Sequence, residues 1–358
     1  MRSVGKRGKA SRRVRLEDLA RQCGVSVSTA SRALAGGKGV RPELKTRLLD
    51  AARTLNYAVP VSIADRKVIV AASSVAMVDY IRNQFTFYVL EGLKERARAL
   101  GVEILTRPIS NPAEEIGVLK EACDNDEVAG CLFLTLDDED MLTLTTDFAK
   151  PIVLVNGDDP AMRLSSVTPC NRSAARMATE HLIRLGHRRI LFLMRRGRRT
   201  IERRFEGWQD AMRQRGPFDT EGLAVEVEDW LPELGAAAIE ARVKRRGLDF
   251  TAIVAAGDSL AVGAAIGLER IGRRVPDDVS IVGIDDLPQA AFATPPLTTM
   301  HVPMREIGAA ALNLLLDDLG GSAMPPRRVE LACHLIERQS TAPPRDDRTN
   351  GRGKRRAG

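Results

Sequence analysis

Aromatic rings are scarce in this sequence, with nine Phe, three Tyr and two Trp among 358 residues. A tryptophan at the end of a strand is therefore informative here. Cysteine is sparse as well: Cys23, Cys123, Cys131, Cys170 and Cys333 are odd in number, scattered and without a C-x-x-C pair. That excludes a disulfide framework or a cysteine zinc site and reads as reduced thiols in a cytoplasmic protein. No apolar run approaches the ~18–20 residues that span a bilayer, so no membrane is expected. The opening MRSVGKRGKASRR is basic and lacks an apolar h-region, which argues against a secretory signal.

Catalytic patterns are missing too. The sequence has no G-x-G-x-x-G, G-x-S-x-G or H-E-x-x-H. GGKGV at 36–40 fails as a phosphate loop: Arg32 stands where a glycine is required, and Gly39 where Ser or Thr must follow the lysine. His181, His187, His301 and His334 are dispersed, and the first two lie on or beside a helix, which suits structural roles. No enzyme activity, cofactor or metal is expected.

What is present is ordinary globular material, 44% apolar and 28% charged, long enough for two or three compact units. The charge is unevenly placed. Residues 1–53 hold fourteen Lys/Arg against four Asp/Glu, and residues 345–358 hold six against two. With +7 for the whole chain, the body between them carries −7. A basic head on an acidic body points to a polyanion as the partner of the head alone.

Within that head, Leu16, Leu19, Ala20 and Cys23 recur at i, i+3, i+4, i+7 and form one helix face. Gly24 permits a tight turn, Val25 plugs inward and Ser26 suits the N-cap of a second helix. There Ala30, Ala33 and Leu34 face inward, leaving Val27, Ser28, Ser31 and Arg32 outside. A third helix opens at Pro42 and runs through Leu44, Leu48, Ala51, Ala52 and Leu55. Small residues at Ala20, Gly24 and Ala30 allow the close crossing of a helix-turn-helix. Hydroxyls near a helix N-terminus can donate to phosphate oxygens, and Arg32 can reach a guanine edge with two hydrogen bonds. The plainer alternative is a three-helix bundle with a serine-rich exposed face.

The stretch VRLEDLARQCGVSVSTASRALAGGKGVRPELKTRLLDAARTLNY resembles the DNA-binding head of the lac-repressor (LacI/GalR) family along its whole length. The family pattern D-[VL]-A-x-x-[AC]-G-V-S-x-x-T-x-S-R runs from Asp18-Leu19-Ala20 through Gly24-Val25-Ser26 to Thr29-Ala30-Ser31-Arg32. The resemblance implies that Val27, Ser28 and Arg32 read bases while Ser26, Thr29 and Ser31 lie near phosphates. The sequence departs from the family after Tyr57. Residues 58–67, AVPVSIADRK, are short for a hinge helix, offer Ile63 where a leucine wedge is expected, and contain Pro60, which holds Val59 out of a helix.

From residue 68, apolar strand-like runs alternate with amphipathic helices, restarting after residue 170. That rhythm gives two doubly wound parallel-sheet units with a ligand crevice at the strand C-termini. HLIRLGHRRI (181–190), RFEGW (204–208), DSLAVGAAIGL (258–268), VPDDVSIVGIDD (275–286) and PPLTTMHVP (295–303) resemble the same family's core, which is similar to periplasmic sugar-binding proteins. The expected organisation is a disordered basic arm (1–13), the helix-turn-helix head (14–57), the linker (58–67), the core (68–340) and a disordered basic tail (341–358). Within the core, the first subdomain takes about 68–166 and 301–325, and the second about 167–300 and 326–340.

By the same resemblance Arg204 and Asp285 hold effector hydroxyls or carboxylates, Trp230 stacks on a sugar face, and Arg198, Thr200 and Asp258 match positions used in the family. A guanidinium and a carboxylate each suit adjacent hydroxyls. Asn156, ending a strand, is a hydroxyl partner, and core packing is the alternative for Trp230. Gly257 replaces a common asparagine. The basic loop MRRGRRTIERR (194–204) favours an anionic effector, such as a sugar acid or sugar phosphate, unless only Arg204 points inward. The expectation is a ligand-responsive regulator, a repressor that binds near-palindromic double-stranded operator DNA as a homodimer. A cytoplasmic sugar-binding protein, or a sugar-acting α/β enzyme fused to a DNA-binding head, is the alternative.

Overall fold

The structure is a computed structural model that describes residues 15–34, 40–55, 66–78, 84–137, 139–145, 148–319 and 324–345. The basic arm, most of the GGKGV loop, nearly all of the linker including Ile63, and residues 346–358 lie outside them.

Three helices build the head: α1 (Leu16–Gln22), α2 (Val27–Leu34) and α3 (Pro42–Leu55). Ser26 accepts from the Thr29 backbone N–H at 3.0 Å, the N-cap bond its short hydroxyl suggests. Gly24 takes φ +63°, a left-handed turn open to glycine, and Val25 N–H donates back to Ala20. Leu19, Ala20, Cys23, Ala30, Ala33, Leu34, Leu48, Ala51 and Ala52 form the small core. Arg47 donates to the Cys23 carbonyl at 2.6 Å and ties α3 to the turn.

The first lobe follows with β1 (Lys67–Ser73), α4 (Ser74–Val78), α5 (Gln84–Leu100), β2 (Glu103–Ile109) and α6 (Pro112–Asp124). It continues through β3 (Val128–Leu134), α7 (Glu139–Leu144), β4 (Ile152–Val155) and β5 (Ser165–Pro169). The second lobe begins with α8 (Asn171–Arg184), β6 (Ile190–Met194), α9 (Arg199–Arg213), α10 (Thr220–Leu223), β7 (Ala224–Glu226) and α11 (Pro232–Arg246). Next come β8 (Ala252–Ala255), α12 (Asp258–Arg270), β9 (Ser280–Asp285), α13 (Pro288–Phe292) and β10 (Thr298–His301). The chain then returns to the first lobe as α14 (Met304–Leu319) and β11 (Arg328–Leu331), and closes in the second with β12 (His334–Ile336).

Each lobe holds one six-stranded sheet, ordered β11-β5-β4-β3-β1-β2 and β12-β10-β9-β8-β6-β7. All the pairings are parallel except β10 with β12. Strands such as β3, buried at every position, explain the unbroken apolar runs: helices cover both faces. Two expectations need correction, on the lobe of β11 and on the start of the tail. β11 pairs with β5 in the first sheet, so residues 328–331 belong to the first lobe and only β12 lies in the second. The segment after β1 is the short helix α4. The tail is ordered as far as residue 345, because Ala342 accepts from Ser280 and His187 at 2.9 Å and Arg345 pairs with Asp278 at 2.8 Å.

Helices α8 and α9 cross so closely that a Cβ on Gly207 would sit 2.0 Å from the Arg172 carbonyl oxygen. Gly207→Ala must push the two helices apart. The expected cost is about 1–3 kcal/mol, read as a lowered urea midpoint with an unchanged slope.

Candidate functional site

Between the lobes lies a cleft of about 660 Å³. Its walls come from strand C-terminal ends: Ser73 closes β1, Thr135 and Asn156 follow β3 and β4, Gly257 comes two residues after β8, and Asp285 ends β9. The bend after β7 adds Trp230. Such crevices form where neighbouring loops diverge from a doubly wound sheet.

Arg204, only 4% exposed, anchors the floor. Its Nε donates to Asn171 Oδ1 at 2.8 Å, one terminal nitrogen donates to the Ala256 carbonyl, and Nη2 lies 3.4 Å from Asp285 Oδ1. Asp285 has φ +131°, a strained backbone that aims its carboxylate into the cleft. Burial pushes its pKa up, and the Arg204 guanidinium opposes that shift. Asn156 also has a left-handed backbone, φ +52°, and its carbonyl accepts from Arg198.

Three buried polar atoms of the site lack a hydrogen-bond partner among the described residues: Asn156 Oδ1, Thr200 Oγ1, and Arg198 Nε, which has only the Asp137 charge 3.8 Å away. Buried polar groups are rarely left so, and each costs about 1–3 kcal/mol unless something else satisfies it. All three belong to residues that line the cleft.

Trp230 is half-buried, lining the cleft while packing against the core. The fully buried tryptophan is Trp208, stacked at 5.5 Å on Phe192. Gly257 makes room for the shelf: a Cβ there would stand 3.1 Å from Trp230 Cζ3 and 3.4 Å from Asp285 Oδ2.

Asp258 does not line the cleft, a correction to its expected role. It is fully buried, accepting from Thr299 Oγ1 at 2.6 Å and from the Leu287 N–H at 2.8 Å, and so holds the loop after β9 in place. Burial, with the Asp285 charge nearby, pushes its pKa up to about 7. A carboxyl whose native pKa is raised holds a proton the unfolded chain has already lost, so stability falls as pH rises from about 4 to about 7. Asp258→Asn removes that titration. Denaturant unfolding across this pH window should then show a shallower decline, whatever the absolute stability.

The basic loop is largely neutralised by distant carboxylates. Arg198 lies 3.8 Å from Asp137, Arg199 3.0 Å from Glu139 and Arg203 3.0 Å from Asp158, all reaching from the second lobe to the first. Arg196 pairs with Glu226 at 2.6 Å. Burial lowers the pKa of Arg198 and raises that of Asp137, each shift opposed by the other's charge. The charged residues lining the cleft are Arg195, Arg198 and Arg204 against Glu228, Asp229 and Asp285, an even balance. The crowding of arginines therefore gives no excess of positive charge for an anion.

Ser73, Gln84, Phe85, Thr86, Thr135 and Ser259 also line the cleft and were not singled out from the sequence. Ser73 and Thr135 are the first polar residues after the apolar runs of β1 and β3, a signal available in principle. Gln84 to Thr86 open α5, where no strand pattern points to them. On the head, Val27, Ser28, Ser31 and Arg32 are exposed together on α2, while Thr29 is half-buried. Ser26 hydrogen-bonds both Ser28 and Thr29 through its hydroxyl. His181 and His187 are buried and bonded to Thr341 and Thr251. Among the described residues, no cluster of His, Cys, Asp or Glu could hold a metal ion, and no helix is long and apolar enough to cross a membrane.

A helix-turn-helix head joined to a two-lobed core with an interlobe cleft defines a class: DNA-binding regulators that sense a small molecule. Residues 15–59 match the model of the bacterial regulatory proteins of the lacI family, and residues 179–341 match a periplasmic binding protein-like domain. The HTH-type transcriptional regulator MalR of Streptomyces coelicolor is 32% identical over 346 residues, covering 92% of this chain and 96% of that protein. CelR of Thermobifida fusca is 31% identical over 343 residues, covering 92% and 98%. Among solved structures, a CelR–cellobiose complex superposes with TM-score 0.69 at 28% identity, covering 92% of this chain and all of that one. The lac repressor dimer bound to operator and the anti-inducer ONPF gives 0.69 at 25%, with the same coverage. The chain belongs to the LacI family of bacterial transcriptional regulators.

Proposed function

We propose that this regulator is a repressor that binds a near-palindromic operator as a homodimer and responds to a neutral sugar of about disaccharide size. The observation that carries the ligand reading is that three residues with an unsatisfied buried polar atom, Asn156, Arg198 and Thr200, line a cleft that also holds Arg204, Asp285 and Trp230. A guanidinium and a carboxylate grip neighbouring hydroxyls, and an indole covers the apolar face of a pyranose ring. The cleft volume of about 660 Å³ lies in the middle of the range for small-molecule sites, which leaves room for two linked rings. The balanced charge of the lining supports a neutral sugar over a sugar acid or sugar phosphate.

Effector binding draws the lobes together and rotates one against the dimer partner, so the two heads no longer fit half-sites spaced about 34–36 Å apart or a multiple of that. The coupling is reciprocal: the operator weakens the sugar as much as the sugar weakens the operator. The alternatives, a sugar-binding protein without a DNA target or a sugar-acting enzyme, differ in two readouts. Titration calorimetry with cellobiose, glucose 6-phosphate and gluconate, alongside selection from a random duplex pool, separates them. Binding of the neutral disaccharide together with enrichment of a two-fold symmetric sequence supports the proposal. Preference for the anions overturns the effector class, and hydrolysis of the sugar overturns the regulator assignment.

A further inference from the structure

Two of the five cysteines meet at the hinge between the lobes. Cys170 stands between the end of β5 in the first lobe and the start of α8 in the second. Cys333 stands between β11 in the first lobe and β12 in the second. Each therefore occupies a crossover segment, and the two segments run side by side, with Pro169 in register with Leu331. The Cys170 N–H donates to the Leu331 carbonyl at 2.9 Å, and the Cys333 N–H donates to Cys170 Sγ at 3.2 Å. The Cys333 thiol itself donates to the Leu331 carbonyl at 3.9 Å. Cys170 is half-buried and reachable from solvent, whereas Cys333 is only 6% exposed.

Chemically the two sulfurs are unlike. Cys170 stands at the N-cap position of the fourteen-residue helix α8, where the helix dipole favours a thiolate, and its sulfur accepts from the Cys333 backbone N–H. The Cys333 thiol beside it and that backbone N–H draw its pKa well below the ordinary thiol value. Cys333 is pushed the other way, by the Cys170 sulfur beside it and by burial, and remains a thiol. An accessible thiolate touching a protonated partner is the arrangement of an attacking and a resolving cysteine.

The geometry points to Cys170 and Cys333 as a redox-reactive pair whose oxidation by a peroxide ties the two crossover segments together and fixes the hinge. The Cys170 thiolate attacks one peroxide oxygen. An S–O bond forms, the O–O bond breaks, and hydroxide leaves and is protonated to water, so Cys170 loses two electrons to the peroxide. The Cys333 sulfur then attacks the sulfenic sulfur, an S–S bond forms, the S–O bond breaks, and the hydroxyl departs as a second water carrying the Cys333 proton. Cys170 adjoins Asn171, which holds Arg204 at 2.8 Å, so the linked segments include the support of the cleft floor. The consequence for sugar response rests on the function proposed above, but the disulfide itself does not.

The test treats the full-length reduced protein with hydrogen peroxide and reads intact mass and cross-linked peptides. The expected result is a loss of about 2 Da per chain, a Cys170–Cys333 peptide and reversal by dithiothreitol. Cys170→Ser should block the reaction, and Cys123→Ser, which removes an exposed cysteine, should leave it intact. Amide exchange in residues 328–336 should slow at least tenfold on oxidation of the wild type and not of C170S. Cys170 ending as sulfinic acid, cross-linking to another chain, or staying reduced while Cys123 oxidises would each overturn the pairing. Unchanged exchange despite the disulfide would overturn the locking of the hinge. The mass readout uses neither DNA nor sugar, so its outcome is independent of whether cellobiose binds.

Discussion

Arg204→Ala should abolish the proposed sugar binding and destabilise the core by about 3–5 kcal/mol. The size follows from what the side chain leaves behind. Asp285, Asn171 Oδ1 and the Ala256 carbonyl all lose their donor, and removing one partner of a buried ion pair strands the other charge. A second variant separates recognition from folding. Arg204→Met combined with Asp285→Asn takes charge from both sides and should recover most of the stability while still failing to bind sugar. Thermal unfolding and titration calorimetry on the two proteins give the answer. Sugar binding by the stable double variant would show that the guanidinium and carboxylate do not hold the effector.

The second large effect belongs to the head. Arg32 is exposed on α2 beside Val27, Ser28 and Ser31. A bidentate arginine–guanine contact discriminates by about 1–3 kcal/mol, and a two-fold symmetric dimer makes it twice. Arg32→Ala should therefore lower preference for the selected duplex over random competitor by roughly 30-fold to more than 10⁴-fold. Sugar affinity should not change. Operator affinity of both proteins should fall steeply with added salt, because phosphate neutralisation releases counterions whatever the base sequence. A variant that protects the same bases with undiminished preference would remove Arg32 from the base-reading set.

The head and the sheets were legible because local pattern decides them. Gly24, Ser26 and the spacing of Leu19, Ala20 and Cys23 specify the turn with no help from the rest of the chain. The apolar runs of β1, β3 and β6 specify buried parallel strands, and their ends mark the cleft wall. Long-range pairing was less readable. Asp258 belongs to a segment that resembles a ligand site, yet Thr299 and the Leu287 N–H, 29 and more residues away, turn its carboxylate into a support. The arginines of 196–203 suggested an anion because the carboxylates of Asp137, Glu139 and Asp158 that meet three of them are tens of residues distant. β11 was assigned to the wrong lobe for a similar reason, since register between distant parallel strands leaves no local trace.

The path of the chain has a consequence for biosynthesis. Neither lobe is one continuous stretch: α14 and β11 complete the first and β12 edges the second, all contributed by residues after 303. On the ribosome, the first sheet must wait with an open edge at β5 until β11 emerges, long after its other strands. A nonsense codon near residue 300 would thus leave both halves incomplete instead of releasing one finished half, and such fragments should be degraded or aggregate.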